Sequence, residues 1–278
     1  MIKTIFEHRS VRSYKPDPVD EALLQRILEA GTRASNTGNM QIYSIIVTTD
    51  PQIREQLSPC HFGQPMVTQA PIVLTFCVDV RRFSLWCRQR GADPQYDNFV
   101  WFVNGAIDAI LASQNVCLEA ESEGLGICYL GTTTYNADRI AEVLALPEGV
   151  IPVTTVTMGY PDKLPPPTDR LPLEGVIHRE RYHDYTPEAI DAIWADKLVR
   201  KQGSFRRDGR PAASERPTEP GAYFHRTSLQ GRRQPSFFAE IFRNAEKTGV
   251  LQPVRTRKTD RIWKRFTKKR SRCYNGAK

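Results

Sequence analysis

A long apolar helix constrains the fold of this chain more than any other feature of the sequence. The periodicity predicts a helix over residues 98–123, with apolar side chains nearly all round it. Its apolar positions are Val103, Ala106, Ile107, Ile110, Leu111, Val116, Cys117 and Ala120. Gly124 and Gly126 follow directly and are expected to end it. Because such a helix has no wholly polar face, we expect it at the centre of a core or at a subunit interface.

The remaining elements are short and follow an irregular order. We predict helices over residues 20–32, from Pro51, and over 137–146, and strands over 42–49, 72–78, 127–130 and 151–158. Strand 72–78 is almost continuously apolar, which indicates burial on both faces. Because the sequence contains no β-α-β repeat, this order favours an α+β layer fold over a doubly wound one.

Charge is distributed unevenly along the 278 residues. Residues 1–200 hold 18 Lys+Arg against 25 Asp+Glu, a net charge of −7, whereas residues 201–278 hold 21 against 6, a net charge of +15. The sequence therefore predicts an acidic globular body over 1–200 and a basic extension over 201–278. A hydrophobic content of 40% is enough for the body to bury a core.

The six cysteines show neither a C-x-x-C pair nor the spacing of a metal site. They predict separate reduced thiols in a cytoplasmic protein that holds no metal. No apolar run approaches the roughly 18 residues of a membrane span, and the amino terminus has no secretory-signal pattern. We therefore expect no membrane among the partners.

A polar and basic cluster, His8 to Arg12, directly follows a short apolar helical turn at the start of the chain. Its two arginines and the hydroxyl of Ser10 suit a phosphate, because a guanidinium offers a planar fork of donors. The alternative is a solvated helix end whose basic residues offset the helix dipole. The cluster alone does not decide between the two.

Seven segments, taken in order along the chain, resemble the FMN-dependent nitroreductase/flavin reductase family. They are His8–Arg12, Ser35–Gln41, Gly63–Gln64, Glu121–Gly126, Tyr129–Gly131, Met158–Pro161 and Arg170–Pro172. None of them is specific alone, but their common order is a strong signal. The resemblance covers residues 1 to about 200 and excludes the basic extension.

This resemblance implies a nitroreductase-like fold, with a mostly antiparallel central sheet flanked by helices and the long helix at a dimer interface. It also implies a homodimer with FMN at each of two subunit interfaces. In the family's ping-pong cycle, NADPH or NADH reduces the flavin and leaves, and an electron-poor acceptor then takes the electrons. The expected acceptors are nitroaromatics, quinones or free flavin. No catalytic side chain is required, because the flavin performs the hydride chemistry.

The resemblance also assigns roles to individual residues. The amino-terminal cluster would hold the phosphate and the ring edge, a polar loop would come from across the interface, and backbone N–H groups would face the redox-active nitrogen of the ring. The residues are His8, Arg9, Ser10 and Arg12 in the cluster, Asn36 and Gly38 in the loop, Gln64 on the isoalloxazine, Leu130 and Gly131 at the redox-active nitrogen, and Arg170 completing the phosphate clamp. Physical chemistry agrees, since a phosphate needs cations and a glycine allows close approach to a ring.

Two of these assignments are open to question. His8 at a helix end also fits a purely structural role. Close relatives often have a second basic residue two positions before the arginine that matches Arg170, and here that position is Thr168. The predicted clamp is therefore one cation short, which would weaken FMN retention.

The basic extension does not resemble the family's usual carboxy-terminal arm, and three interpretations of it remain. Its Arg-, Gly-, Pro- and Ser-rich first part is typical of disordered or nucleic-acid-binding arms. The third interpretation is a pair of compensating frameshifts near residues 199 and 235. Residues 222–234 can be encoded so that reading one base later gives a peptide similar to the family's arm, and residues 237–251 resemble its last helix.

The sequence thus predicts an FMN-dependent NAD(P)H oxidoreductase of the nitroreductase type. One alternative is another flavin reaction on the same scaffold, such as dehalogenation or flavin fragmentation. The other is a non-catalytic protein that associates with nucleic acid through its basic extension. We do not expect specific nucleic-acid binding, because such basic runs are more often solvated or bind non-specifically.

Overall fold

Four antiparallel strands form the sheet in the computed structural model, which describes residues 1–205, with side-chain exposure to residue 196. The strands are β1 (Tyr43–Thr48), β2 (Ile72–Asp79), β3 (Gly126–Leu130) and β4 (Val150–Gly159), in the spatial order β1-β2-β4-β3. Every residue of β2 is buried, so the predicted two-sided burial of this strand is confirmed. The mostly antiparallel sheet and the α+β class predicted from the sequence are confirmed as well.

The helices lie around this sheet. They are α1 (Lys3–Glu7), α2 (Glu21–Thr32), α3 (Pro51–Leu57), α4 (Met66–Gln69), α5 (Val80–Arg88), α6 (Phe99–Ser122), α7 (Ala137–Val143) and α8 (Pro187–Phe205). The long predicted helix is α6, which begins after Asn98 because the Asn98 side chain accepts from the backbone N–H groups of Val100 and Trp101. Within residues 1–205, no helix is both long and apolar enough to cross a membrane.

Glycines bring α6 into close contact with the rest of the core. A Cβ at Gly31 of α2 would lie 2.5 Å from Cγ2 of Val116, and a Cβ at Gly105 of α6 would lie 2.7 Å from Cγ1 of Val78. Any larger side chain at these positions would push the elements apart. One side of α6 therefore packs tightly on α2 and β2, as the prediction of a core helix requires.

The opposite side of α6 is not covered by the described residues. Val100, Ile107, Ile110 and Leu111 are 42–56% exposed. We call these four residues the α6 apolar face. Large aliphatic side chains in such a row on one helix favour contact with another protein surface over permanent contact with water.

Most boundaries agree with the sequence predictions, but α4 and α8 were not predicted, and neither was α5. It follows β2 without a loop, and Asp79 caps it by accepting from the backbone N–H of Arg82 at 3.0 Å. The Arg82 guanidinium also bonds to the backbone oxygen atoms of Gln41 and Tyr43. Asp79 and Arg82 thus tie the start of α5 to the start of β1, by contacts between residues that are distant in sequence.

The chain divides into two units, whose described parts are residues 1–165 and 166–205. The second contains a short 3₁₀ helix, Leu173–Gly175, and α8. Within it, the Tyr185 hydroxyl lies 3.0 Å from the backbone oxygen of Gly175, to which it donates, and 3.0 Å from Nε2 of His178. The predictions for the basic extension, including the frameshifts and the nucleic-acid contacts, concern residues that lie outside the described ones, apart from residues 199–205 at the end of α8.

Candidate functional site

The amino-terminal cluster runs alongside β3. Ser10 forms a parallel bridge to Ile127, and the backbone N–H of Val11 donates to the Ile127 oxygen at 2.8 Å. Val11 is buried against Gly126, where an added Cβ would lie 2.6–2.8 Å from Cβ, Cγ1 and Cγ2 of Val11. The missing side chain at Gly126 therefore lets this segment lie directly on the sheet.

The two arginines of the cluster have different surroundings. Nε of Arg9 donates to the backbone oxygen of Glu7 at 3.0 Å, and its Nη1 donates to that of Pro165 at 3.3 Å. Arg12 is exposed, and among the described residues its guanidinium has no hydrogen bond or ion pair. Its five N–H donors are thus available to an anionic ligand.

His8 is paired inside the first unit. Its Nδ1 lies 2.9 Å from Oε1 and 3.0 Å from Oε2 of Glu121, near the end of α6. Both side chains are largely shielded from water, with 26% and 10% exposed. This contact fixes the cluster to the end of α6, which supports the structural interpretation of His8, while its predicted contact with the flavin stays a prediction.

Gly131 follows the last residue of β3, the buried Leu130. Gly131 is exposed, and a Cβ built on it would meet no atom within 4 Å. Its φ lies outside the left-handed region, unlike that of Gly63 at +67°. Neither packing against the described residues nor a left-handed φ requires a glycine at position 131, and the open space there leaves room for a ligand to approach the backbone.

The loop that bears Gln64 is attached to the turn that bears Gly131. The side-chain amide of Asn136 donates to the Cys60 oxygen at 2.7 Å, and Nδ1 of His61 lies 2.8 Å from Oγ1 of Thr132. The backbone N–H of Gln64 in turn donates to the His61 oxygen at 3.3 Å. The structure therefore places two of the predicted flavin-contacting segments side by side.

The loop with Asn36 and Gly38 is held at a different point of α6. The backbone N–H and the hydroxyl of Thr37 donate to Oδ1 of Asp108 at 2.9 and 3.1 Å. The side chain of Asn36 accepts from the backbone N–H of Gln41, and Gly38 has a φ of +59° that suits a glycine. Asp108 precedes Glu121 by 13 residues on α6, a distance of about 20 Å at the usual helical rise.

Arg170 belongs to the second unit. It is exposed, and its Nη1 donates to the backbone oxygen atoms of Thr168 and Asp169, each at 3.1 Å. Its role in a phosphate clamp stays a prediction.

Two side chains of this region were missed by sequence reasoning, namely His61 and Asp108. Both are almost completely buried, and both hold predicted site loops, as described above. Each contact joins residues 71 positions apart in the sequence, so no local pattern could have found it. The proximity of His61 to Gln64 was the only available signal.

Five thiols lie within the described residues of the first unit, and none of them is exposed. Cys60, Cys77, Cys87, Cys117 and Cys128 are buried and unpaired. Burial raises the pKa of Cys77 and Cys117 to about 12. Because a thiolate is the nucleophilic form, these two side chains are inert packing groups.

Burial lowers the pKa of His61 to about 4. In the unfolded chain a histidine titrates near pH 6.5, so between about pH 6.5 and 4 the unfolded state binds a proton that the folded state does not. We expect the free energy of unfolding to fall as the pH is lowered through this interval, and the loss to level off below pH 4. Urea denaturation at pH 7.0 and 4.5 measures it. The His61→Gln variant cannot titrate at this position and should lose less stability between the two pH values than the unsubstituted chain; an equal loss would contradict the assignment.

Comparison with known proteins places the chain among flavin-linked reductases. The nitroreductase family model matches residues 5–160. An NADPH-dependent oxidoreductase of Staphylococcus saprophyticus is 34% identical over 207 residues, which cover 73% of this chain and 82% of that protein. An FMN reductase (NADPH) of Bacillus subtilis is 33% identical over 189 residues, covering 67% of this chain and 76% of the relative. The structure of the NADPH:FMN oxidoreductase of Vibrio harveyi complexed with NAD+ is similar, with a TM-score of 0.72, 27% identity and coverage of 88% of this chain and 97% of the other.

Proposed function

We propose, from the premise that this chain belongs to the nitroreductase family, that it reduces nitroaromatics, quinones or free flavin in a ping-pong cycle. The chain is an FMN-dependent NAD(P)H oxidoreductase. The acceptor class and the order of events are the proposed parts. Both quoted curated relatives have NADPH in their names, which supports NADPH as the preferred donor.

The observation that carries this proposal is the attachment of the amino-terminal cluster to β3. Through the Ser10–Ile127 bridge, the guanidiniums of Arg9 and Arg12 belong to the same structural unit as Gly131 at the other end of the strand. β3 rises about 3.3 Å per residue, so Ile127 and Gly131 are about 13 Å apart along it. Cations beside the strand and an open backbone beyond its end suit a ligand with a phosphate and a flat ring.

The residues present fit FMN. The unpaired Arg12 and the half-buried Arg9 would hold the phosphate, because two guanidiniums can donate to it bidentately. Gly131 would present its backbone N–H to the ring at close range, and Gln64 would donate to or accept from the ring edge. Bound FMN supplies the hydride chemistry, so no side chain has to act as acid or base.

A second copy of the chain would complete the site. Within one chain, the anchors of the Asn36–Gly38 loop and of the His8 cluster are Asp108 and Glu121, about 20 Å apart on α6. A homodimer that packs along the α6 apolar face would bring the loop of one chain to the cluster of the other. The exposure of that face supports this arrangement. A cytoplasmic location, predicted from the cysteines, stays a prediction.

The Ile110→Asp variant tests the dimer. Ile110 is 51% exposed at the α6 apolar face, so a carboxylate there would be tolerated in a monomer but would be desolvated in a dimer. We expect sedimentation velocity to show monomers, together with at least a tenfold loss of FMN affinity. The Ile110→Val control keeps the apolar surface and should remain dimeric. A dimeric Ile110→Asp protein would place the interface elsewhere.

The Gly131→Ala variant tests the ring end of the site. Among the described residues, apart from its two chain neighbours, the new methyl group meets no atom within 4 Å, so the melting temperature should stay within about a degree or two. In the proposed site the same methyl group would keep the ring away from the backbone. We expect the FMN dissociation constant to rise at least about tenfold, a loss of about 1.4 kcal/mol in binding free energy. Unchanged FMN affinity would remove Gly131 from the site.

A flavin titration of the 278-residue chain is the decisive experiment. Tight fluorescence quenching at one FMN per chain, followed by oxidation of NADPH that depends on a nitroaromatic or a quinone, is the expected result. Ratios of kcat/KM for NADPH and NADH would then identify the donor. A protein that stays colourless and shows no quenching with FMN would refute the proposal.

A further inference from the structure

The Gln64 loop and the Gly131 turn, which are proposed to contact the isoalloxazine, are joined by a buried side-chain contact that involves His61. His61 ends a 3₁₀ helix, Ser58–His61, and its side chain has no exposed surface. Nδ1 lies 2.8 Å from Oγ1 of Thr132, the residue directly after Gly131. Nε2 is buried too and has no hydrogen-bond partner among the described residues. The Thr132 hydroxyl is therefore the polar group that anchors this imidazole.

The backbone next to His61 needs such an anchor. Phe62 and Gly63 have φ values of +58° and +67°, and Phe62 is 60% exposed, so its own burial does little to hold the turn. A left-handed conformation at a residue with a side chain costs about 1 kcal/mol or more and persists only where the surroundings impose it. His61 holds this left-handed backbone in place by two contacts. Its backbone oxygen accepts from the Gln64 N–H, and its ring is fixed by Thr132.

We propose that His61 is a positioning residue, which fixes the spacing between Gln64 and the Gly131 turn by its bond to Thr132. This inference rests on the proposed function for its flavin role, since both loops are predicted to contact the isoalloxazine. Because His61 has no exposed surface, it would not touch the isoalloxazine itself. It acts by holding the side chain of Gln64 and the backbone N–H of Gly131 at one separation, and binding of a rigid planar ligand is sensitive to such a separation.

The ring is suited to this task because it does not change its charge. Burial lowers the pKa of His61 to about 4, so the ring stays neutral near neutral pH and the bond to Thr132 persists whichever of the two atoms donates. The hydrogen bond from the Asn136 side chain to the Cys60 oxygen joins the same two segments as the contact between His61 and Thr132.

Thr132 variants give the sharper test, because a substitution of the fully buried His61 would also disturb the packing around the ring. Thr132→Val keeps the shape of the side chain and removes the hydroxyl, whereas Thr132→Ser keeps the hydroxyl and serves as the matched control. Hydrogen exchange of the flavin-free proteins should become at least tenfold faster in both segments 61–66 and 130–135 for Thr132→Val, with β1 unchanged and the Ser variant like the unsubstituted chain. Faster exchange in only one segment, or equal exchange in the Val and Ser variants, would overturn the coupling.

FMN titration and flavin redox measurements on the same two Thr132 variants test the role of His61 in flavin binding. With FMN, Thr132→Val should raise the dissociation constant about tenfold and shift the flavin midpoint potential, while Thr132→Ser should do neither. A purely structural contact would lower the melting temperature without moving the potential, and that result would overturn the positioning role. An unsubstituted chain that binds no FMN would refute the proposed function instead, and the exchange data would still decide whether the two loops are coupled.

Discussion

Replacing Arg12 by alanine should weaken FMN binding by roughly ten- to a hundredfold and leave the fold intact. The guanidinium of Arg12 is exposed and forms no hydrogen bond or ion pair within residues 1–205, so its removal breaks none of the described polar contacts. A charge-assisted hydrogen bond to a phosphate contributes about 1.5–3 kcal/mol, and that contribution would disappear from binding alone. Fluorescence titration with FMN measures the affinity, and a thermal melt of the flavin-free protein measures the fold.

Lys15 provides a matched control for this substitution. It is also exposed and basic, it lies three positions further along the same segment, and it is not among the predicted site residues. Lys15→Ala removes the same net charge and should leave FMN affinity within about twofold. If both variants lost affinity equally, the effect of Arg12 would be general electrostatic attraction, whereas unchanged binding in Arg12→Ala would remove this arginine from the clamp.

Gly126→Val should destabilise the protein by about 3 kcal/mol or more, the upper end of the cost of overpacking a core. A Cβ at this position would lie 2.6–2.8 Å from the Val11 side chain, including its Cβ, which cannot move without its backbone. The segment from His8 to Arg12 would have to leave β3, and the Val11 N–H to Ile127 hydrogen bond would break. Urea denaturation should show a clearly lower midpoint, and FMN binding should be lost.

Gly124 distinguishes this clash from a general effect of side chains at the end of α6. A Cβ at Gly124 would meet no atom within 4 Å, although its φ of +83° strains any other residue. Gly124→Asn, a residue that tolerates the left-handed region, should cost about 1 kcal/mol and preserve flavin binding. An equally large loss in both variants would mean that close contact with Val11 is not the reason for Gly126.

The sequence predicted the elements of the first unit well where their hydrophobic pattern is regular. The long helix was expected over 98–123 and is found over Phe99–Ser122, and the strand expected over 72–78 extends to Asp79. Helix α5 was missed because it follows β2 without a break and mixes arginines with aromatic residues. Its position depends on contacts of Asp79 and Arg82 with β1, which no local pattern records.

Prediction of the site was limited in a different way. The resemblance to the family assigned the cluster, the Gln64 loop and the turn at Gly131 to flavin binding, and these assignments stay predictions. His61, which joins the Gln64 loop to the Gly131 turn, and Asp108, which holds the Asn36–Gly38 loop, were not identified, since each bonds to a threonine 71 positions away. His8 was named from its motif, but the motif could not show that its side chain contacts Glu121.

The separation of the two anchors on α6 has a consequence for how the protein would behave in dilute solution. If each FMN bridges a loop from one chain and a cluster from the other, then cofactor binding and subunit association are thermodynamically linked, and each strengthens the other. Dilution of the chains would release flavin, and removal of flavin would promote dissociation. The specific activity would then depend on the concentration of the protein itself, and free FMN would act as a stabilising ligand of the assembly.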